Sequence, residues 1–298
     1  MAWLLRILAV FPLSVLHLLG WWLYLLAFYV ARWRVPLARA NIDAAFPEKS
    51  AGERARILRD CYRNLGAALL EGIWGYGASA AALTRRVRFL NPEVVNSWSE
   101  ENRSAILLAG HVCNWEWLLL AAGAHLDIPI DVVYKPLHLA DVDAYVRDAR
   151  RRFGANPIPH NSFLYEVMRR GDEPRAYAML ADQTPLKRTP KHWIRFLNRD
   201  TAFFLGPERI ARFVDANVVY VAMKRVRRGY YEVSLEVIAR PPYGEDAGRE
   251  IAESYARHLE ATIRESPEDW LWIHNKWKYP KPAEETDGVH RARARRSA

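Results

Sequence analysis

Twenty-five consecutive residues without a formal charge, Ile7 to Ala31, set the strongest limit on what this chain can fold into. Only His17 and the breakers Pro12 and Gly20 interrupt an apolar run long enough to span a bilayer. Trp21, Trp22, Tyr24 and Tyr29, then Arg32, Trp33, Arg34 and Arg39, make the aromatic and basic rim typical of a membrane interface. The run exceeds the apolar core of a secretory signal, and no small-residue cleavage site follows it. Arginines crowd the C-terminal flank while only Arg6 and the N-terminus precede the run, so the positive-inside rule predicts a cytoplasmic body. Pro12 also permits a kinked segment lying in one leaflet, so spanning and monotopic arrangements both stay open. The expected organisation is a membrane anchor over 1–40, a folded domain over 41–280 and a charged, disordered tail over 281–298.

The remainder has the composition of a globular protein, with 51% hydrophobic and 26% charged residues in 298. A net charge of +9 favours a polyanionic partner: nucleic acid, anionic lipid or an acidic carrier protein. No recognised nucleic-acid motif accompanies the charge, which argues against the first. Two isolated cysteines, Cys61 and Cys113, are too few for a disulfide framework or a zinc cluster, and no metal site is expected.

Periodicity predicts an amphipathic helix over 51–74, with Ile57, Cys61, Leu65, Leu69 and Ile73 every fourth residue. Strands are then predicted at 105–109, 130–134, 176–181, 218–222 and 230–238, interleaved with helices at 115–124, 143–153, 163–170, 208–214 and 251–263. The alternation implies an α/β fold, a single sheet flanked by helices, behind an N-terminal hydrophobic membrane helix.

The sharpest local signal is Gly110-His111-Val112-Cys113-Asn114-Trp115-Glu116, where a buried strand ends and a helix begins. Ligands of open α/β sheets bind at the carboxyl ends of strands. On one continuous helix a histidine and a carboxylate five apart would point roughly 140° apart. The spacing suits His111 in a loop with Glu116 in the first helical turn reaching back. There the carboxylate would accept a bond from one ring nitrogen and leave the other free as a base. A hydrolase using His111, Glu116 and His125 on zinc, or Cys113 as nucleophile, is the competing class. No His-Glu-x-x-His is present, and the spacing to His125 matches no common ligand pattern.

Further blocks follow in order: Tyr134-Lys135-Pro136-Leu137, Leu180-Ala181-Asp182-Gln183-Thr184-Pro185, Phe196-Leu197-Asn198, Gly206-Pro207-Glu208 and Trp272-Ile273-His274-Asn275-Lys276-Trp277-Lys278. With the His111 motif, they resemble the late acyltransferases of lipid A biosynthesis, the lauroyl and myristoyl transferases within the lysophospholipid acyltransferase superfamily. The resemblance runs roughly from Ala2 to Pro280. It implies a glycerolipid acyltransferase-like fold, with a bacterial inner-membrane enzyme whose catalytic domain is on the cytoplasmic face. It also implies an acyl-carrier-protein thioester as donor, a lipid A precursor or related glycolipid as acceptor, no cofactor, and His111 with Glu116 as the catalytic pair. A lysophospholipid acceptor is the nearest alternative. Lys135 where many members carry arginine, and Asp182-Gln183-Thr184 where many continue His-Asp, put the chain in a divergent subgroup.

Such a reaction needs a grip on the anionic parts of its substrates, and Lys135, Arg150 and Arg151, with Arg147 behind them, are the candidates. Asp182, just past a strand, is expected to orient a cation, bind a sugar hydroxyl or cap a helix. Asn114 is expected to cap the following helix, and Trp115 and Trp117 to pack. Lys276 and Lys278 are candidates for meeting the membrane or an acidic carrier.

Overall fold

The computed structural model describes residues 1–171 and 173–282. The tail expected to be disordered from Lys281 lies outside them from residue 283 on.

The apolar run folds as α1 (Ala2–Ala9) and α2 (Leu13–Leu25), the latter prolonged by a π-helical turn at Leu26–Val30. Pro12 separates the two helices, because its ring cannot continue the preceding one. After α3 (Val35–Ala45) comes the long α4 (Ala51–Gly77), which starts on a capping box: Ser50 accepts from the Glu53 amide, and Glu53 returns the bond to the Ser50 amide. Helices α2 and α4 run antiparallel, pairing His17 with Glu71, Gly20 with Gly66 and Phe28 with Tyr62. At the closest approach a side-chain carbon on Gly20 would lie 2.8 Å from the Gly66 carbonyl oxygen, and the reverse distance is 2.5 Å, so only glycine fits either position. Leu16, Gly20 and Tyr24 are buried in this seam, while Leu18, Leu19, Trp22 and Leu26 are exposed. One stripe of α2 is packed on protein and the other is bare hydrocarbon.

Short α5 (Ala80–Thr84), β1 (Val87–Phe89) and α6 (Glu93–Glu100) lead into an alternating stretch. It comprises β2 (Ala105–Ala109), α7 (Trp115–His125), β3 (Ile130–Tyr134), α8 (Ala140–Arg152), β4 (Ala155–Pro159), α9 (Phe163–Arg170) and β5 (Ala176–Leu180). A hairpin of β6 (Lys191–Phe196) and β7 (Arg199–Phe204) follows, then α10 (Gly206–Phe213), β8 (Asn217–Arg227), β9 (Tyr230–Ala239) and α11 (Ala247–Glu265).

Seven strands form the main sheet in the order β1-β9-β8-β2-β5-β3-β4. Strands β8, β2, β5, β3 and β4 are parallel, and β9 and β1 run against them. The helix-flanked α/β sheet expected from the alternation is present, but β6 and β7 make a second, two-stranded sheet where a single one was expected. Strand β2 is buried along its whole length, as suits a central strand covered on both faces. Ala109 of β2 pairs with Leu180 of β5, so both chains leave the sheet side by side. The connection from β2 runs to β3, and that from β5 runs the other way to β8; such a reversal opens a crevice at the carboxyl ends of the strands.

Candidate active site

Two residues beyond the Ala109–Leu180 pair, the neighbouring chains present His111 and Asp182 to each other. The Asp182 carboxylate accepts from the His111 ring at 2.7 Å (Nδ1 to Oδ1) and from the His111 amide at 2.9 Å (Oδ2). Trp270 Nε1 donates to the same Oδ2 at 2.9 Å. Burial alone would raise the Asp182 pKa, but His111 and these donors outweigh it and hold the group far below the usual carboxylate range. A carboxylate on Nδ1 fixes the proton there and leaves Nε2 with its lone pair. Gln183 Nε2 lies 3.2 Å from that nitrogen, as a donor to it, and Trp115 lies edge-on to the ring at 5.2 Å.

The loop carrying His111 is held at every step. Cys113 takes a left-handed backbone (φ 54°), a conformation costing about 1–3 kcal/mol for a non-glycine residue. Its amide donates to the Asp269 carbonyl at 2.8 Å, and Val112 bridges to Trp270. Asn114 caps α7 as expected, accepting from the Trp117 amide at 3.0 Å. Residues 270–276 brace the partner loop. Thr184 donates through its amide to His274 Nε2 at 3.1 Å, and burial lowers the His274 pKa, in keeping with a neutral ring that accepts. Lys276 donates to the carbonyls of Gln183 (3.2 Å) and Ala202 (2.9 Å).

Glu116 does not reach His111. Both its oxygens accept from Arg150, at 2.8 Å from Nε and 2.7 Å from Nη2, in a largely buried bidentate pair. The physical reason is twofold: strand register already delivers Asp182 to the ring, and the first turn of α7 directs Glu116 toward Gly72 of α4 and toward α8. Arg150 is therefore committed to Glu116, which holds its pKa up against burial. Among the other expected grips, Lys135 is exposed beyond β3, and Arg151 is exposed and pairs with Asp148 of its own helix at 3.6 Å. Arg147 pairs with Asp143 at 3.2 Å. Lys276 is 3% exposed and its ammonium is turned inward to the Gln183 and Ala202 carbonyls, whereas Lys278 is exposed. His125 stacks on Phe89, with Nδ1 2.9 Å from the Ala121 carbonyl, and takes no part in the site. The buried Cys113 thiol donates weakly to the Met223 carbonyl at 3.4 Å, and burial pushes its pKa well above the ordinary thiol value. Trp117 packs fully buried against Trp74 and Tyr231.

Beside the dyad, Trp115 and Glu116 form one wall of a cavity of about 470 Å³. Leu5, Leu23, Leu70 and Ile73 line it, so α1, α2 and α4 supply an apolar trough, and its wall residue Trp115 is the one that lies edge-on to the His111 ring.

The family model for bacterial lipid A biosynthesis acyltransferases matches residues 1–279. The chain belongs to that family. It is 24% identical over 272 residues to a lipid A biosynthesis palmitoleoyltransferase of Escherichia coli (strain K12), covering 90% of this chain and 86% of the relative. A lipid A biosynthesis lauroyltransferase of the same organism is 23% identical over 274 residues with the same coverage, and a lipid A biosynthesis acyltransferase of Shigella flexneri is 24% identical over 272. The protein is thus an acyltransferase of lipid A biosynthesis, as the ordered blocks implied.

The buried Lys276 of this acyltransferase makes its stability depend on alkaline pH. Burial drives the ammonium pKa down from 10.5 to about 7, against the upward pull of Asp182. Below about pH 7 the folded protein carries the full penalty of a buried charge. Between there and 10.5 the unfolded chain binds a proton that the folded chain lacks, so this contribution to stability rises with pH. From about pH 6.5 to about pH 9, the Tm of the wild type should gain ~5 °C on that of Lys276→Met. Differential scanning fluorimetry of both proteins measures this, and a pH-independent difference would show that Lys276 keeps its charge in the fold.

Proposed function

We propose that this acyltransferase moves a fatty acyl group from an acyl-carrier-protein thioester to a hydroxyl of a lipid A precursor, with His111 as general base and Asp182 holding it. The observation that carries this reading is the His111–Asp182 pair, whose imidazole lies edge-on to Trp115, a wall residue of the apolar trough. A cavity of this size and lining suits an acyl chain. As the acceptor oxygen bonds to the thioester carbon, Nε2 takes the hydroxyl proton; when the tetrahedral intermediate breaks its carbon–sulfur bond, the imidazolium returns the proton to the leaving thiolate. Gln183, now bonded to Nε2, marks where the hydroxyl docks and must yield to it. Glu116 acts through Arg150 and not through His111, keeping an arginine fixed at the trough beside the reacting centre. Exposed Lys135 and Arg151 are left to meet anionic substrate groups.

The N-terminal helices seat the enzyme on a lipid surface. Both ends of α2 rest on the same domain, Leu13 and His17 beside Gly229 in the β8–β9 turn and Phe28 against Tyr62. A helix so held lies along the domain, with its bare stripe in one leaflet. The exposed Arg227 and Arg228 near one end, and Arg32 and Arg34 beyond the other, face anionic headgroups.

The reading is tested by supplying acyl-carrier-protein donor and lipid A precursor to the purified enzyme and measuring lipid masses. A product one acyl chain heavier is expected. With Cys113→Ser the product should form at a rate within about three-fold of wild type, because a buried, protonated thiol is no nucleophile. Donor without acceptor should leave no adduct on the protein. A trapped acyl-enzyme together with an inactive serine variant would replace direct transfer by a thiol mechanism.

A further inference from the structure

Glu71 of α4 is fully buried, and the reaction proposed above does not use it. Its carboxylate accepts from three separate elements: His17 Nε2 of α2 at 2.8 Å, Asn114 Nδ2 at 2.9 Å and the Tyr231 hydroxyl of β9 at 2.6 Å. Its backbone carbonyl accepts from Trp117 Nε1 at 2.6 Å. Burial works against its ionisation, but His17, Tyr231, the nearby Arg225 and Asn114 outweigh it and hold the group below its ordinary value. Asn114 is the third residue after His111. While its amide nitrogen donates to Glu71, its oxygen caps α7, so Glu71 fixes the orientation of the cap. From Tyr231 the network passes to Arg225, whose Nη1 donates to the Tyr231 hydroxyl at 2.8 Å and whose Nε donates to Asp269 at 2.9 Å. The Asp269 carbonyl holds the Cys113 amide. The His111 loop is thereby gripped at Asn114 and at Cys113 by one buried polar cluster.

A buried carboxylate is costly unless fully paired, and apolar packing between α4, α7 and β9 would serve stability as well. What apolar packing could not supply is a directed bond to α2. His17 is the histidine interrupting the apolar run, and its ring is 14% exposed on a helix whose outer stripe is bare. We propose that Glu71 is a positioning residue that ties the seating of the N-terminal apolar helix to the geometry of the His111 loop, so that turnover depends on His17. His17 is bonded to neither His111 nor Asp182, and it acts only through Glu71 and Asn114.

This inference rests on His111 being the base, and the test keeps the two apart. Full-length enzyme in phospholipid vesicles is assayed for kcat and for KM of donor and acceptor, with Tm recorded alongside. His17→Leu, which fills the space without the bond, should lower kcat about five- to ten-fold while both KM values stay within about two-fold. His17→Gln, which restores a donor to Glu71, should recover most of the loss. Glu71→Ala should lower kcat at least as much, and adding His17→Leu to it should cost nothing further, because both changes break one chain. If Glu71→Ala does not fold, the Leu–Gln contrast at His17 decides alone. Equal kcat for His17→Leu and wild type, equal loss in the Leu and Gln variants, or losses that multiply in the double variant would each overturn the proposal. Activity in His111→Ala would instead overturn the base assignment.

Discussion

His111→Ala should leave a folded enzyme whose kcat has dropped by about 10³-fold or more, and Asp182→Asn should lose about 10²- to 10⁴-fold. The two losses have different origins. Alanine removes the imidazole that Asp182 holds, and so the proposed proton acceptor itself. Asparagine keeps the size of the side chain but presents an amide that can donate. Oδ1 and Oδ2 now accept from His111 Nδ1, the His111 amide and Trp270 Nε1, and an NH2 group cannot take over either oxygen's place. The imidazole then loses the acceptor that keeps its proton on Nδ1, and Nε2 is no longer dependably free. The double variant should be little worse than His111→Ala, since a positioning group has no function without the base. Single-turnover rates with wild-type-like circular dichroism check this; a His111→Ala enzyme within a few-fold of wild type would falsify the base assignment.

Deletion of Met1 to Ala31 should abolish accumulation of folded protein and not release a soluble, active domain. The segment buries Leu16, Gly20 and Tyr24 against α4, supplies Leu5 and Leu23 to the trough, and brings His17 to Glu71. Removing one partner of a buried, bonded charge costs about 3–5 kcal/mol, and each large apolar side chain uncovered on α4 adds to that. Against a total stability of about 5–15 kcal/mol, the sum is enough to unfold the domain. Size-exclusion chromatography after detergent extraction would show aggregate. A monodisperse truncated protein with native activity would mean that the helix is an accessory anchor only.

Much of this molecule was legible in its residues. The strands expected at 105–109 and 176–181 form at Ala105–Ala109 and Ala176–Leu180, with helices between them, and His111 sits just past a strand end as expected. The ion pair of Glu116 was not legible, because a carboxylate in the first turn of a helix is equally compatible with reaching back to the loop or across to Arg150. Asp182 was singled out, but its partner lies 71 residues away and becomes its neighbour only through the pairing of β2 with β5. The hairpin β6–β7 is not legible in the sequence, because Lys191-His192-Trp193-Ile194-Arg195-Phe196 mixes polar and apolar residues without a strict period of two. Strand β4 contains Pro157 and Pro159, which argue against a strand; it survives as the edge of the sheet, where missing donors cost least. The burial of Lys276 is not legible locally, because it stands beside Asn275 and two residues before the exposed Lys278, in a polar and aromatic segment without an apolar period.

The pairing of Ala109 with Leu180 also decides which alterations the chain can absorb. Because His111 and Asp182 each stand two residues past that pair, their meeting depends on ladder alignment and not on the length of chain between them. Segments added in the connections around α8 or α9 would travel outward on the surface and leave the dyad intact, since a longer excursion costs little entropy. Removing a single residue within Ala176–Leu180 would turn every later side chain of that strand to the opposite face and carry the carboxylate away from the ring. Related enzymes can therefore differ widely in the distance between histidine and carboxylate along the chain, and the partner of such a histidine is best sought on the adjacent parallel strand, at the same height.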